Sequence, residues 1–146
     1  MTHVRKQIRD SVTTAVTGLA TTGTNVFQSR VYPNEAAKLP SLCVYTTTET
    51  AEVISLTPPR LMRTLEVVVE GYAKAKTGLD DTLDTIAVEV EEALAVDITR
   101  GGIAHQMKIT GTEIGLNEEG EQPIGIIKMT FEVDYVTANT DVETNV

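Results

Sequence analysis

Tryptophan is absent from this 146-residue chain, cysteine occurs once and histidine twice. With Cys43 as the only thiol, intrachain disulfides and cysteine-based zinc clusters are excluded together. His3 and His105 stand at no ligand spacing to each other or to Cys43, and no H-E-x-x-H, C-x-x-C or H-x-E pattern occurs, so no metal is expected. Aromatics are scarce. Phe27, Phe131, Tyr32, Tyr45, Tyr72 and Tyr135 fall mostly in strand-like patterns, which points to packing rather than to a surface that stacks on bases. Long apolar runs are also lacking, and no segment approaches the roughly 20 residues of a membrane-spanning helix. The basic start at Arg5, Lys6 and Arg9 is followed by apolar positions interrupted by Thr13, Thr14 and Thr17, unlike the continuous core of a signal peptide. No membrane partner is expected.

Sequence signatures of catalysis are missing too. The stretch G-Y-A-K-A-K-T-G at 71–78 fails both the P-loop and the dinucleotide patterns, and no G-x-S-x-G supplies a nucleophile elbow. Asp80, Asp81 and Asp84 open a helical segment, where carboxylates favour the helix dipole without any cation. Glu118, Glu119 and Glu121 lack the alternating pattern of a calcium loop and read as a solvated turn. Neither a cofactor nor an enzymatic role is expected. Catalytic groups converging from separated segments, around His105 or Cys43, are the alternative.

What remains is a chain of ordinary globular composition, 41% hydrophobic and 23% charged, with a mean hydropathy of -0.05. At this length one domain buries roughly 70% of the surface its unfolded form exposes, enough to fold without disulfide or metal. The net charge of -9 argues against general nucleic-acid binding. It is unevenly distributed: residues 1–76 carry a balance of +3 and residues 77–146 one of -12. Were these halves to form different faces, the basic face of one copy could meet the acidic face of another head to tail, closing into a ring where the rotation permits. The plainer alternative is a solvated acidic face.

Val4, Ile8, Val12, Ala15, Val16 and Leu19 recur at helical spacing, with Thr2 as an N-cap and Gly18 or Gly23 as stops. Val26–Tyr32 and Ser41–Thr47 read as strands, followed by a short strand near Val53 and Ile54 and an excursion at Thr57, Pro58, Pro59 and Arg60. Leu65, Val67, Val69 and Ala73 alternate as a strand. Thr77 and Asp80 have capping-box spacing before a second helix, whose stripe is Leu79, Leu83, Ile86, Ala87, Val90 and Leu94. Strands follow at Gln106–Ile114 and through Ile127, Met129, Phe131, Val133 and Tyr135. The expected fold is α+β: a two-layer sandwich, with a mixed or antiparallel sheet of about four to six strands and both amphipathic helices on one face. Residues 1–136 form the domain in this reading, and 137–146 a flexible polar tail.

Several segments together carry a resemblance: H-V-R-K-Q-I-R-D with V-T-G-L-A-T-T-G, R-V-Y-P, L-P-S-L-C-V-Y-T, R-T-L-E-V-V-V-E-G-Y-A-K, L-D-D-T-L-D-T-I-A-V-E-V-E and F-E-V-D-Y-V-T-A. In order and spacing, from His3 to about Asn139, the chain resembles the tail terminator (tail completion) proteins of long-tailed bacteriophages, the minor tail protein U type. The resemblance implies a small α+β subunit in a hexameric ring on the head-proximal end of the tail tube. Such a ring ends tube polymerisation and joins the head connector or stopper protein. It further implies partners in the chain itself, the tail tube protein and the connector, with DNA passing through the lumen without specific binding. Localisation would be the virion tail, and host cytoplasm during assembly.

The residues expected at protein interfaces on this reading are Arg5, Lys6 and Arg9, with Arg60 and Arg63 in or beside the proline excursion. Leu56, Leu61 and Met62 supply apolar contact there. Pro58 and Pro59 shape that protrusion, and Glu118, Glu119 and Glu121 form a second. A head-tail joining protein or the tube subunit itself is the structural alternative.

Overall fold

Spacing alone accounts for the first helix: Val4, Ile8 and Val12 repeat every four residues and all three are buried. In the computed structural model, which describes residues 2–28, 39–75, 77–117 and 123–146, this helix is α1 (Val4–Ala15). Its cap is His3 rather than Thr2. The His3 Nδ1 accepts a hydrogen bond from the Arg5 N–H at 3.0 Å, a role an imidazole fills as well as a hydroxyl does. The chain then turns through Gly18 (φ 88°) and enters β1 (Val26–Phe27), which pairs in parallel with Leu42 and Cys43. Of the expected strand 26–32, residues 29–32 lie outside the described residues.

The segment 41–74 departs most from expectation. It is one long hairpin, β2 (Ser41–Leu56) and β3 (Pro59–Lys74), with the turn at Thr57 and Pro58. The short strand expected near Val53 and Ile54 is the end of a 16-residue strand, and the expected excursion shrinks to the two turn residues, Arg60 lying in β3. Pro58 occupies the turn with a cis peptide before it, and Pro59 is the first residue of β3, where a missing N–H is tolerated.

Helix α2 (Leu79–Ala95) buries Leu83, Ile86, Ala87, Val90 and Leu94, the predicted stripe. It begins at Gly78, in the left-handed region at φ 67°, with no side-chain cap, so the expected Thr77 capping box does not form. Arg100 closes the other end: its guanidinium donates to the carbonyl oxygens of Leu94 (3.1 Å) and Asp97, supplying donors and positive charge at the helix C-terminus.

Strands β4 (Gln106–Asn117), β5 (Ile124–Ala138) and β6 (Asp141–Asn145) complete a six-stranded mixed sheet in the order β1-β2-β3-β5-β4, with β6 on β5. Segment 141–145, expected in a flexible tail, instead folds back as β6. Val146 N–H donates to the Val136 carbonyl at 2.8 Å, and Gln7 Nε2 to the Glu143 carbonyl at 2.7 Å. Backbone pairing and one side chain from α1 hold it, so it needs no apolar periodicity.

Both helices lie on one face of this sheet, as expected. The core joins Val4, Ile8, Leu83 and Ile86 from the helices to Leu42, Val67, Met129, Phe131 and Tyr135 from the strands. Two glycines let α2 approach closely: a Cβ on Gly71 would lie 2.9 Å from Ile86 Cγ2, and one on Gly125 2.9 Å from Leu79 Cγ and Leu83 Cδ1. Among the described residues no helix is long and apolar enough to cross a membrane.

Candidate protein–protein interface

The sheet order places β2 and β4 near opposite margins, and each carries unburied apolar side chains on the same side as the helices. Helix α2 packs over β3 and β5. On the helix-side face of β4 Met107 is buried, but Ile109, Ile114 and Leu116 are exposed. A groove of about 250 Å³ opens between this strand and the end of α2, lined chiefly by Leu94, Ile98, Met107, Ile109 and Phe131, with Glu91 and Lys108 at its rim. Val88, Val96 and Ile98 extend the exposed apolar surface along the helix.

At the other margin stands the far end of the β2–β3 hairpin. Val53, Ile54 and Leu56 are exposed there, Leu56 to 80%. Register shifts between Val53 and Ser55, so that Ile54 is the extra residue of a bulge, the local device that twists a strand end. Pro58, Pro59 and Arg60 are exposed beside Leu56, while Leu61 and Met62 are half-buried where the hairpin meets β5.

The two expected arginines of this hairpin separate. Arg60 is exposed near the turn. Arg63 is enclosed: Nη1 lies 3.0 Å from Glu49 Oε2, Nε donates to Thr137 Oγ1 at 2.9 Å, and the Tyr135 hydroxyl donates to Glu49 Oε1. Arg5 approaches the same carboxylate at 3.6 Å. This cluster ties α1, β2, β3 and β5 together midway along the hairpin. Burial and the adjoining Glu49 carboxylate push the Tyr135 hydroxyl well above its ordinary pKa, so it stays protonated as a donor. The rest of the basic group on α1 also has partners within the chain. Lys6 pairs with Asp10 at 2.8 Å, and Arg9 donates to Gln28 Oε1 at 2.9 Å. Glu118, Glu119 and Glu121 lie outside the described residues.

Helix α2 has no basic residue, and Asp80, Asp81, Asp84 and Glu92 are exposed on it. Glu89 is turned to a structural use, accepting from the Thr21 N–H and hydroxyl. The sheet face away from the helices is mixed, with Cys43, Val68 and Tyr72 buried on it and a polar middle. Glu66 and Glu132 stand directly opposite one another there, in a shallow depression with Thr48, Thr50, Thr64 and Thr110. Further along, Glu70 accepts from both Tyr45 and Tyr72.

Cys43 and His105 do not meet. Cys43 is buried opposite Glu70, whose β5 partner is Lys128; His105 N–H donates to the Asp134 carbonyl, roughly 20 Å farther along β5 at about 3.3 Å per residue. Burial and Glu70 push the Cys43 thiol up to about 11. Among the described residues, no three His, Cys, Asp or Glu side chains are grouped to hold a metal ion.

Arg5, Lys6, Arg9 and Arg63 thus have partners within the chain and Arg60 is exposed, while the exposed apolar residues of β4 and α2 are not among the interface residues expected from the sequence. Their signal was present: Val88 falls off the α2 stripe, Val96 and Ile98 follow its end, and Ile114 and Leu116 alternate on the outermost strand. No protein-family model and no curated protein matches the chain. Among solved structures it is similar to a chain of the virion of a native gene transfer agent (GTA) particle, at 15% identity and a TM-score of 0.43, over 90% of this chain and 92% of that one.

Proposed function

We propose that this chain is a structural virion protein that assembles as a ring on the head-proximal end of a phage tail tube, ends tube polymerisation and forms the joint to the head connector. The observation that carries the reading is the presence of two unburied apolar surfaces at opposite margins of one sheet. A head-to-tail ring needs two different surfaces on each subunit, and a closed two-fold dimer needs only one. The order of the segments that resemble tail terminators supports a tail-capping role for such a ring. The Glu66–Glu132 pair on the other sheet face is a local acidic patch of the kind that would keep DNA passing a lumen from adhering. In this reading the chain works by surface complementarity and catalyses no reaction.

Electron microscopy with native mass measurement of the purified protein, alone and with tail tubes, tests the reading. Single rings that bind one tube end and stop its growth are expected. Long stacks of the protein alone would identify a tube subunit instead. Rings that bind the connector but leave tube growth unchanged would identify a joining protein. A protomer that neither assembles nor touches tubes would overturn the proposal.

A further inference from the structure

We propose that the tip of the β2–β3 hairpin of one copy seats in the groove between β4 and α2 of the next, with Leu56 and Val53 as its apolar anchors. This deepens the ring reading above by assigning its subunit contact. Three features select a second copy as the occupant. The tip and the groove lie at opposite margins of the sheet, so one rigid subunit offers both halves of the contact outward. Each half is apolar where it is exposed: Val53, Ile54 and Leu56 on the tip, Ile98 and Ile109 at the groove. Charges of both signs flank each half, Glu52 and Arg60 at the tip and Glu91 and Lys108 at the groove, so each cation has a carboxylate to meet across the contact. Apolar anchors inside a polar, charged rim are the usual anatomy of a specific interface.

Cysteine cross-linking of the intact chain tests the contact. Leu56→Cys and Ile98→Cys each replace an exposed side chain, and the parent carrying buried Cys43 alone is the blank. Mixing the two single variants under oxidation is expected to give disulfide dimers that neither forms alone. The double variant is expected to give a ladder ending at one closed species. Leu56→Asp is expected to raise the concentration for half-assembly about tenfold or more, with Leu56→Met close to the parent and all three melting alike. Self-cross-linking of Leu56→Cys, absence of the mixed disulfide, or unchanged assembly of Leu56→Asp would overturn the proposal. Rings of the expected mass without the mixed disulfide would overturn this contact and leave the tube-capping reading standing. The mixed disulfide in a chain that does not cap tubes would do the reverse.

Discussion

Glu49 on β2 accepts a hydrogen bond from the Tyr135 hydroxyl on β5 across the intervening strand β3, and Arg63 on β3 donates to the other oxygen of the same carboxylate. Only 9% of the Glu49 side chain and 13% of that of Arg63 is exposed, so neither charge is well hydrated without the other. Removing one member of such a pair leaves the other buried and uncompensated. Glu49→Ala is expected to cost about 3 kcal/mol, lowering the melting temperature by roughly 10 °C. Arg5→Ala, at the exposed side of the same carboxylate, is expected to cost under about 1 kcal/mol. Calorimetry of the single variants and of the Glu49/Arg63 double variant measures the coupling.

Arg60 and Arg63 are expected to respond differently to charge reversal although they are three residues apart. Arg60→Glu should leave the melt unchanged and weaken assembly, because its side chain is exposed at the hairpin end. Arg63→Glu should lower the melting temperature by roughly 10 °C by placing a second carboxylate against Glu49. Melting curves and sedimentation on both variants read the two effects separately.

His3 makes stability depend on pH. Its Nδ1 must be unprotonated to accept from the Arg5 N–H, and its pKa is held below the ordinary 6.5 first by burial, then by Arg5 and Arg63, with Glu49 opposing. The unfolded chain therefore binds the proton more readily, and stability rises with pH in that window. The His3 contribution is complete above about pH 6.5 and is lost as pH falls through its lowered value. His3→Asn keeps a cap acceptor without titrating and should flatten the difference between pH 5 and pH 8. His3→Ala should cost about 1 kcal/mol at pH 8. Urea titrations at the two pH values check both. The Asp10 carboxylate, held below its ordinary 3.8 by Lys6 and Gln28, acts at lower pH than this window.

Gly71 and Gly125 set how closely α2 can approach the sheet. Alanine at either is expected to push the helix outward and cost about 1 to 3 kcal/mol, with near-UV circular dichroism and the urea midpoint as readouts. Gly115, whose added Cβ would meet nothing within 4 Å, is the control, and alanine there should cost far less.

Where burial imposes a period, the fold was legible. The stripes of both helices and the alternation of Leu65, Val67 and Val69 and of Ile127 to Tyr135 are read directly, because each faces a core. The hairpin was not, because Thr46–Thr50 and much of the chain beyond have no core to face, and two prolines read as a break although they occupy the turn and the first strand position. Strand β6 was missed for a related reason, since backbone bonds and Gln7 hold it. Arg5, Lys6, Arg9 and Arg63 each have a partner within the chain, which only three-dimensional placement shows. The apolar margins depend on strand order, which no local pattern encodes.

That order also bears on how copies would be counted. If copies join through different patches at the two flanks, as proposed, each added subunit would leave one patch of each kind unused, and a row of any length would remain sticky at its ends. Only curvature extinguishes both at once. The tilt between neighbours, fixed by how the bulged hairpin end meets a strand beside a helix, would then decide the number in a closed circle, and tighter adhesion alone would not change it.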